Sequence, residues 1–91
     1  MTVRRATAIG ILGTGSYLPS QVVDNDEVGR PAGVSAEWIE NKTGIRHRHR
    51  AAANEATSDL AIAASRAALR AARVDEADLR YVVVATSTPD Q

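Results

Sequence analysis

Trp38 and Lys42, four positions apart, carry side chains that could bind a nucleotide. A flat indole can stack on an adenine ring while an ammonium group contacts a phosphate. Ser35 is a good N-cap and Gly44 a natural left-handed stop, which predicts a short helix over Ala36–Lys42. From these residues alone, the favoured interpretation is that Trp38 is an apolar anchor that holds this helix in place.

A basic segment follows and reads Ile45-Arg46-His47-Arg48-His49-Arg50. Its pattern predicts an extended or hairpin conformation, with the three arginines on one face and the isoleucine and histidines on the other. The two histidines could begin a metal site, but no third ligand is near in sequence and the arginines would repel a cation. Hydrogen-bonded or solvated histidines are favoured. The arginines could contact phosphate on a ligand or a carrier protein, although a solvated hairpin face is at least as well supported.

The glycines of Gly13-Thr14-Gly15 follow an apolar run and could belong to a dinucleotide-binding turn. That fingerprint requires a third glycine and the start of a helix where this chain has Leu18 and Pro19. A tight turn out of a buried strand is therefore favoured.

Three acids, Asp24, Asp26 and Glu27, could pair for catalysis or metal binding. Capping explains them more simply, because Asn25 can cap a short helix whose positive end attracts the neighbouring carboxylates.

Three longer elements must position these residues. Asp59 near one end and arginines near the other predict a helix over about Ser58–Arg73, with a mostly alanine stripe that should lie close against a flat sheet. The runs Ala8–Leu12 and Tyr81–Thr86 are apolar without alternation, which is typical of strands buried on both faces. Two such strands joined by a helical connection predict a parallel, right-handed βαβ unit.

Buried parallel strands need helices on both faces and neighbours on both edges, and one long and two short helices cannot supply that cover. We therefore expect these residues to form part of a larger structure. The chain has 91 residues and only three aromatic side chains, so any core must be small.

Composition excludes several functions. Zero cysteines exclude a disulfide framework, a thiolate metal site and a cysteine nucleophile within these residues. Eleven basic and eleven acidic side chains balance to zero, which argues against general nucleic-acid binding. No apolar run approaches the length of a membrane helix, so we expect a cytoplasmic protein with no membrane or nucleic-acid partner.

Four motifs occur in a specific order: Gly13-Thr14-Gly15-Ser16-Tyr17-Leu18-Pro19, Glu37-Trp38-Ile39, Thr43-Gly44-Ile45-Arg46 and Val82-Val83-Val84-Ala85-Thr86-Ser87-Thr88-Pro89-Asp90. Each motif alone is weak, but their order and spacing are specific and span nearly the whole chain. In these motifs the sequence resembles the opening of 3-oxoacyl-acyl-carrier-protein synthase III enzymes, the ketoacyl synthase III group of the thiolase superfamily.

The resemblance implies an α/β, thiolase-like fold, layered α-β-α-β-α when complete and commonly dimeric. Residues 1–91 would be an incomplete part of the N-terminal thiolase-like domain, namely its first βαβ portion. Members load an acyl group from acyl-CoA onto a cysteine and condense it with malonyl-acyl carrier protein. The catalytic cysteine, histidine and asparagine would lie beyond Gln91, in the rest of the polypeptide or in a companion chain.

The resemblance also implies roles for two residues. Trp38 matches a tryptophan that stacks on the adenine of coenzyme A, and Lys42 matches a basic residue near the nucleotide phosphates. That residue is usually Arg, so the lysine removes the planar fork that binds phosphate through two hydrogen bonds. We expect acyl-CoA as substrate and no separate cofactor or metal. The synthase could serve fatty-acid or specialised metabolism. Two alternatives remain open: a related acyltransferase of specialised metabolism that acylates an alcohol or amine, and a non-catalytic structural fragment or subunit.

Overall fold

The computed structural model describes residues 8–90; Gln91 lies outside the described residues. In chain order the elements are strand β1 (Gln21–Asp24), helix α1 (Asn25–Ala32), helix α2 (Ala36–Thr43), strand β2 (His47–Arg50), helix α3 (Thr57–Ala72) and a short 3₁₀ helix (Glu76–Asp78). The described part of the chain is therefore of the α/β class.

The described residues contain one two-stranded antiparallel sheet, in which β1 pairs with β2. Gln21 is opposite Arg50 and Asp24 is opposite His47. The extended conformation predicted for the basic segment is confirmed, and its partner strand is one that the sequence pattern did not identify. Val23, at the centre of β1, is fully buried.

The N-cap of helix α1 lies one residue earlier than predicted. Asp24, not Asn25, is the N-cap, and its carboxylate accepts a hydrogen bond from the Glu27 N–H at 3.0 Å. The backbone of Asp24 is extended, as an N-cap requires, so its side chain reaches the first turn while Asn25 turns inward. The helix continues through Pro31 and ends at Gly33, whose φ of 71° lies in the left-handed region.

Helix α2 agrees with its predicted caps. The Ser35 hydroxyl accepts a hydrogen bond from the Trp38 N–H at 3.0 Å. Gly44 ends the helix with φ 72°, a conformation that glycine adopts without steric cost. The helix includes one residue more than predicted, Thr43, whose hydroxyl donates to the Ile39 carbonyl at 2.7 Å.

Helix α3 covers Thr57–Ala72, within one residue of its predicted bounds at each end. The Asp59 carboxylate accepts a hydrogen bond from the Ala56 N–H at 2.8 Å and stabilises the first turn. The chain at Gly13 approaches this helix closely, because a Cβ on Gly13 would lie 2.7 Å from the Ala72 nitrogen. Residues 13–15, and not a sheet, therefore lie close against α3, and only the contacts of Gly15 with Ala64 and Ala67 fall on the predicted alanine stripe.

The structure differs from the prediction at the two apolar runs. Residues 8–12 and 81–86 form no strand and pair with no neighbour among residues 8–90. Their side chains are exposed: Ile9 is 95% and Val83 90% accessible. The physical reason is that a strand requires a ladder of hydrogen bonds with a neighbour, and the described residues place none beside either run.

The buried side chains are few and lie around β1, α1 and α2. The Cα radius of gyration is 19.3 Å, whereas a compact domain of this length would have about 12 Å. The described residues therefore form a small folded unit over residues 19–50 and a long helix to which extended segments are attached. This agrees with the expectation that the chain belongs to a larger structure.

Candidate nucleotide-binding site

Trp38 and Lys42 lie one turn apart on α2, so their side chains project from the same face of the helix. We call this the Trp38–Lys42 face. The Trp38 side chain is 50% exposed, and Lys42 is also exposed. An aromatic ring and a cation thus stand on the same accessible surface, where a ring could stack on a base and a cation could contact a phosphate.

Ile39, not Trp38, is the residue that holds α2 against the rest of the fold. Ile39 is only 8% exposed. A Cβ placed on Gly29 of α1 would lie 3.1 Å from the Ile39 Cδ1, so the two helices meet at this small residue. The anchor role that the sequence favoured for Trp38 therefore belongs to its neighbour, and half of the indole is left accessible.

Lys42 takes part in none of the ion pairs found within residues 8–90. Glu40, two residues before it, pairs with Arg46 instead: the Arg46 Nε lies 2.8 Å from the Glu40 Oε1. Lys42 is also in the last turn of α2, where a cation is favoured by the negative end of the helix dipole. Its ammonium group is free to contact an anionic ligand.

The three arginines of the basic segment all have partners within the chain. Besides the Arg46–Glu40 pair, Arg48 donates to the Asn25 Oδ1 at 2.6 Å. Arg50 lies 3.9 Å from Glu27 across the surface of α1. Arg48 therefore joins the sheet to α1, whereas the ion pairs of Arg46 and Arg50 are exposed at the surface and contribute little. Phosphate binding by these arginines stays a prediction.

The two histidines do share a face, as predicted, with ring centroids 6.3 Å apart. His49 places its Nδ1 2.6 Å from the Pro19 carbonyl, which can only accept, so Nδ1 carries the proton. Among residues 8–90 no group of three His, Cys, Asp or Glu side chains could hold a metal ion. The hydrogen-bonded interpretation of His49 is thereby confirmed.

A polar contact joins the segment that follows Gly15 to the loop before α3. The Tyr17 hydroxyl donates to the Glu55 Oε2 at 2.8 Å, and the Ala52 N–H donates to the other oxygen at 2.9 Å. The Ala52 hydrogen bond, with that of Tyr17, lowers the pKa of Glu55. The same contact with Glu55 raises the pKa of Tyr17. Tyr17 is exposed and Glu55 half-buried, and their hydrogen bond attaches residues 17–19 to the loop before α3.

A group of hydrogen bonds lies at the start of α3. The Asp90 Oδ1 accepts from the Ser58 N–H at 3.2 Å, and the Thr57 hydroxyl contacts Thr88. Hydrogen bonds from the side chain and backbone of Ser58, then from the backbone of Thr57, lower the pKa of Asp90. These contacts attach residues 86–90 to the helix N-terminus.

A wide groove of about 850 Å³ separates α3 from the segment 79–90. Most of its lining is apolar and includes Leu69, Tyr81 and Val84. No cysteine occurs in the chain, so the groove contains no thiol nucleophile. Its open form follows from the unpaired run 81–86, which stands away from the helix.

Sequence reasoning missed Asn25 as a structural residue. The sequence predicts a cap at this position, because an asparagine before two acids is a usual signal for one. In the structure it is 4% exposed and its amide bonds to backbone on either side of α2. No local signal distinguishes these roles, since the difference depends on residues 11 and 20 positions away.

The fold is that of thiolase-like ketosynthases, as comparison with known proteins shows. The chain is 59% identical over 81 residues to an acetoacetyl-CoA synthase of a Streptomyces strain. It is 53% identical over 81 residues to β-ketoacyl-[acyl-carrier-protein] synthase III of Methylococcus capsulatus. Each match covers 89% of this chain. No protein-family profile matches it.

Among solved structures, the priming β-ketosynthase of a polyketide biosynthetic pathway superposes with a TM-score of 0.71 at 45% identity. The match covers 76% of this chain and 21% of that protein. The resemblance to the ketoacyl synthase III group is therefore confirmed over most of the chain, and so is the α/β, thiolase-like fold class. The chain spans about a quarter of the length of the curated relatives it matches.

No helix among the described residues is long and apolar enough to cross a lipid bilayer.

Proposed function

We propose that the protein containing this chain is a type III ketoacyl synthase. The observation that carries the proposal is the identity of 59% and 53% to two condensing enzymes over 89% of the chain. An acyl group would pass from acyl-CoA to a cysteine outside this chain, releasing coenzyme A. Decarboxylation of malonyl-acyl carrier protein would then supply the carbanion that attacks the acyl thioester, giving 3-oxoacyl-acyl carrier protein, CO₂ and the free cysteine.

The contribution of this chain would be to bind the nucleotide of the acyl-CoA donor. Trp38 would stack on the adenine and Lys42 would neutralise a phosphate, which requires the half-exposed indole and the unpaired ammonium described above. Binding energy from this remote part of the substrate can place the thioester at the nucleophile. These residues would therefore act in binding the acyl donor and not the malonyl acceptor.

A second candidate differs in the acceptor. One relative is named an acetoacetyl-CoA synthase, so its product is a coenzyme A thioester rather than a carrier-protein thioester. The condensation chemistry would be the same, with malonyl-CoA in place of malonyl-acyl carrier protein. This candidate is favoured by the higher identity of that relative.

The test is a product assay with the full-length protein. Acetyl-CoA is supplied with either malonyl-acyl carrier protein or malonyl-CoA, and CO₂ and the 3-oxoacyl thioester are measured by mass. Product with only the carrier-protein substrate supports the first candidate, and product with malonyl-CoA supports the second. Acyl transfer to an alcohol or amine without CO₂ release would contradict both and support the simple acyltransferase. Absence of any transfer would leave the non-catalytic subunit.

The nucleotide site has its own test, equilibrium binding of coenzyme A and of pantetheine, which lacks the nucleotide. Trp38→Ala should weaken coenzyme A about tenfold, since stacking on a base contributes roughly 1–3 kcal/mol. Pantetheine should bind as before. Equal affinity of the variant and the native protein for coenzyme A would contradict the site without touching the proposed reaction.

We also propose a cytoplasmic homodimer that receives its malonyl group from acyl carrier protein. The resemblance supports these features. Sedimentation of the full-length protein would test the dimer, and a monomer at micromolar concentration would contradict it.

A further inference from the structure

Asn25 is the one buried polar side chain among residues 8–90, with 4% of its surface exposed. Its amide nitrogen donates to the Ile45 carbonyl at 2.6 Å and, more weakly, to the Ala36 carbonyl at 3.4 Å. Its Oδ1 accepts from the Arg48 Nη2 at 2.6 Å. A buried amide with its donor and acceptor both used is costly to replace, because removal leaves its partners without hydrogen bonds.

The two carbonyls that accept from Asn25 stand at opposite ends of α2. Ala36 is the first residue of the helix, and Ile45 follows its C-cap, Gly44. One side chain thus contacts the backbone on both sides of an eight-residue helix. A helix this short is marginal by itself, so contacts at its ends decide where it lies.

Arg48 fixes the orientation of the amide. Its guanidinium donates to the Val23 carbonyl at 3.3 Å as well as to Asn25. Because arginine has no acceptor, the Asn25 Oδ1 must face it and the Nδ2 must face the two carbonyls. Both strands, α1 and α2 are therefore joined through this pair.

We infer that Asn25, oriented by Arg48, is a positioning residue that places Trp38 and Lys42 for the nucleotide of coenzyme A. The inference rests on the proposed nucleotide site. Asn25 lies behind α2 and touches no ligand in this scheme. It acts by fixing the axial position of the helix, on whose accessible face the two binding side chains stand.

The experiment measures coenzyme A and pantetheine affinity for the full-length protein and its variants. Asn25→Asp keeps the acceptor for Arg48 but replaces the donor with an oxygen that faces the Ile45 carbonyl. Asn25→Ala removes both functions. For each variant we expect coenzyme A to bind about tenfold more weakly, while pantetheine affinity changes by less than about twofold. Asn54→Ala, the same change at an exposed loop asparagine, should bind both ligands as the native protein does.

The ratio of the two affinities separates positioning from general damage. A loss that is equal for coenzyme A and pantetheine overturns the inference, because it indicates a disturbed fold. Native coenzyme A affinity in Asn25→Asp, with weakened binding in Trp38→Ala, also overturns it. If Trp38→Ala binds coenzyme A normally, the proposed nucleotide site fails first, and the inference fails with it.

Asn25→Ala also risks misfolding. In that case Asn25→Asp and Arg48→Lys carry the test, since each retains a polar partner in the buried pair. Arg48→Lys keeps one donor for the Asn25 Oδ1 and loses the second hydrogen bond to Val23, so we expect a smaller, about threefold, loss of coenzyme A affinity. An unchanged affinity ratio in both variants would contradict the inference.

Discussion

Gly15 lies directly against the backbone of Ala68 in α3. A Cβ on this glycine would collide with the Ala68 nitrogen and would lie 2.5 Å from the Ala64 carbonyl oxygen. Its φ is not positive, so glycine is required here because there is no room for a side chain and not because of the backbone conformation. The glycines that resembled a nucleotide-binding turn therefore serve the contact with α3.

Replacing Gly15 by alanine should destabilise the protein. The new methyl group meets backbone atoms, which cannot move aside as a flexible side chain can, so we expect a loss of about 2 kcal/mol or more. Denaturant unfolding of the full-length protein measures it. Gly10→Ala is the matched control, because nothing lies within 4 Å of a Cβ at that position. Equal unfolding midpoints for the two variants would contradict the close contact.

Lys42 offers a second prediction, on affinity. Lys42→Arg should bind coenzyme A a few times more tightly, because a guanidinium can make two parallel hydrogen bonds to phosphate. Lys42→Ala should bind it about fivefold more weakly and lose part of the salt dependence. Titration at low and high ionic strength measures both effects.

The control for Lys42 is Arg70→Ala, which removes a cation from the exposed surface of α3. Its coenzyme A affinity should equal that of the native protein. A salt dependence that is the same in Lys42→Ala and in the native protein would show that the ammonium does not meet a phosphate.

Asp90 gives a pH-dependent prediction. Its pKa is lowered in the folded state by the hydrogen bonds from Ser58 and Thr57. A lowered pKa means that the contact contributes stability above the ordinary carboxyl pKa and loses it as the pH falls through the depressed value. Asp90→Asn should therefore be less stable than the native protein near neutral pH and approach it in acid.

Unfolding of both proteins across that pH range checks the Asp90 prediction. The effect should be small, since the carboxylate is exposed to solvent. Asp78→Asn serves as control, because its exposed side chain accepts none of the hydrogen bonds seen in residues 8–90. A constant difference between Asp90→Asn and the native protein at every pH would contradict the prediction.

The sequence predicted α2 and α3 closely because their ends carry local signals. Ser35 and Gly44 bound one helix, and Asp59 marks the start of the other. Strand β1 was missed, since Gln21–Asp24 is too short for periodicity to show and its partner is about 25 residues away. The local sequence of one strand does not show which distant segment it pairs with.

The roles of Trp38 and Lys42 in the candidate site remain predictions that rest on the family resemblance, and the sequence did not predict the geometry around them. Which of Trp38 and Ile39 turns inward depends on where α1 packs, and the burial of Asn25 depends on β2. Neither packing contact leaves a mark on the local sequence, so the support behind the Trp38–Lys42 face was found only in the structure.

The contact between residues 13–15 and α3 also has a kinetic consequence. It joins positions about fifty residues apart, and the loop that it closes contains both strands and the first two helices. The two-stranded sheet with α1 and α2 is built from contacts between residues that are closer in sequence, so forming them costs less chain entropy. We expect that this unit forms first during folding and that the glycine segment settles on α3 afterwards. Substitutions at Gly15 would then speed unfolding and leave the folding rate almost unchanged.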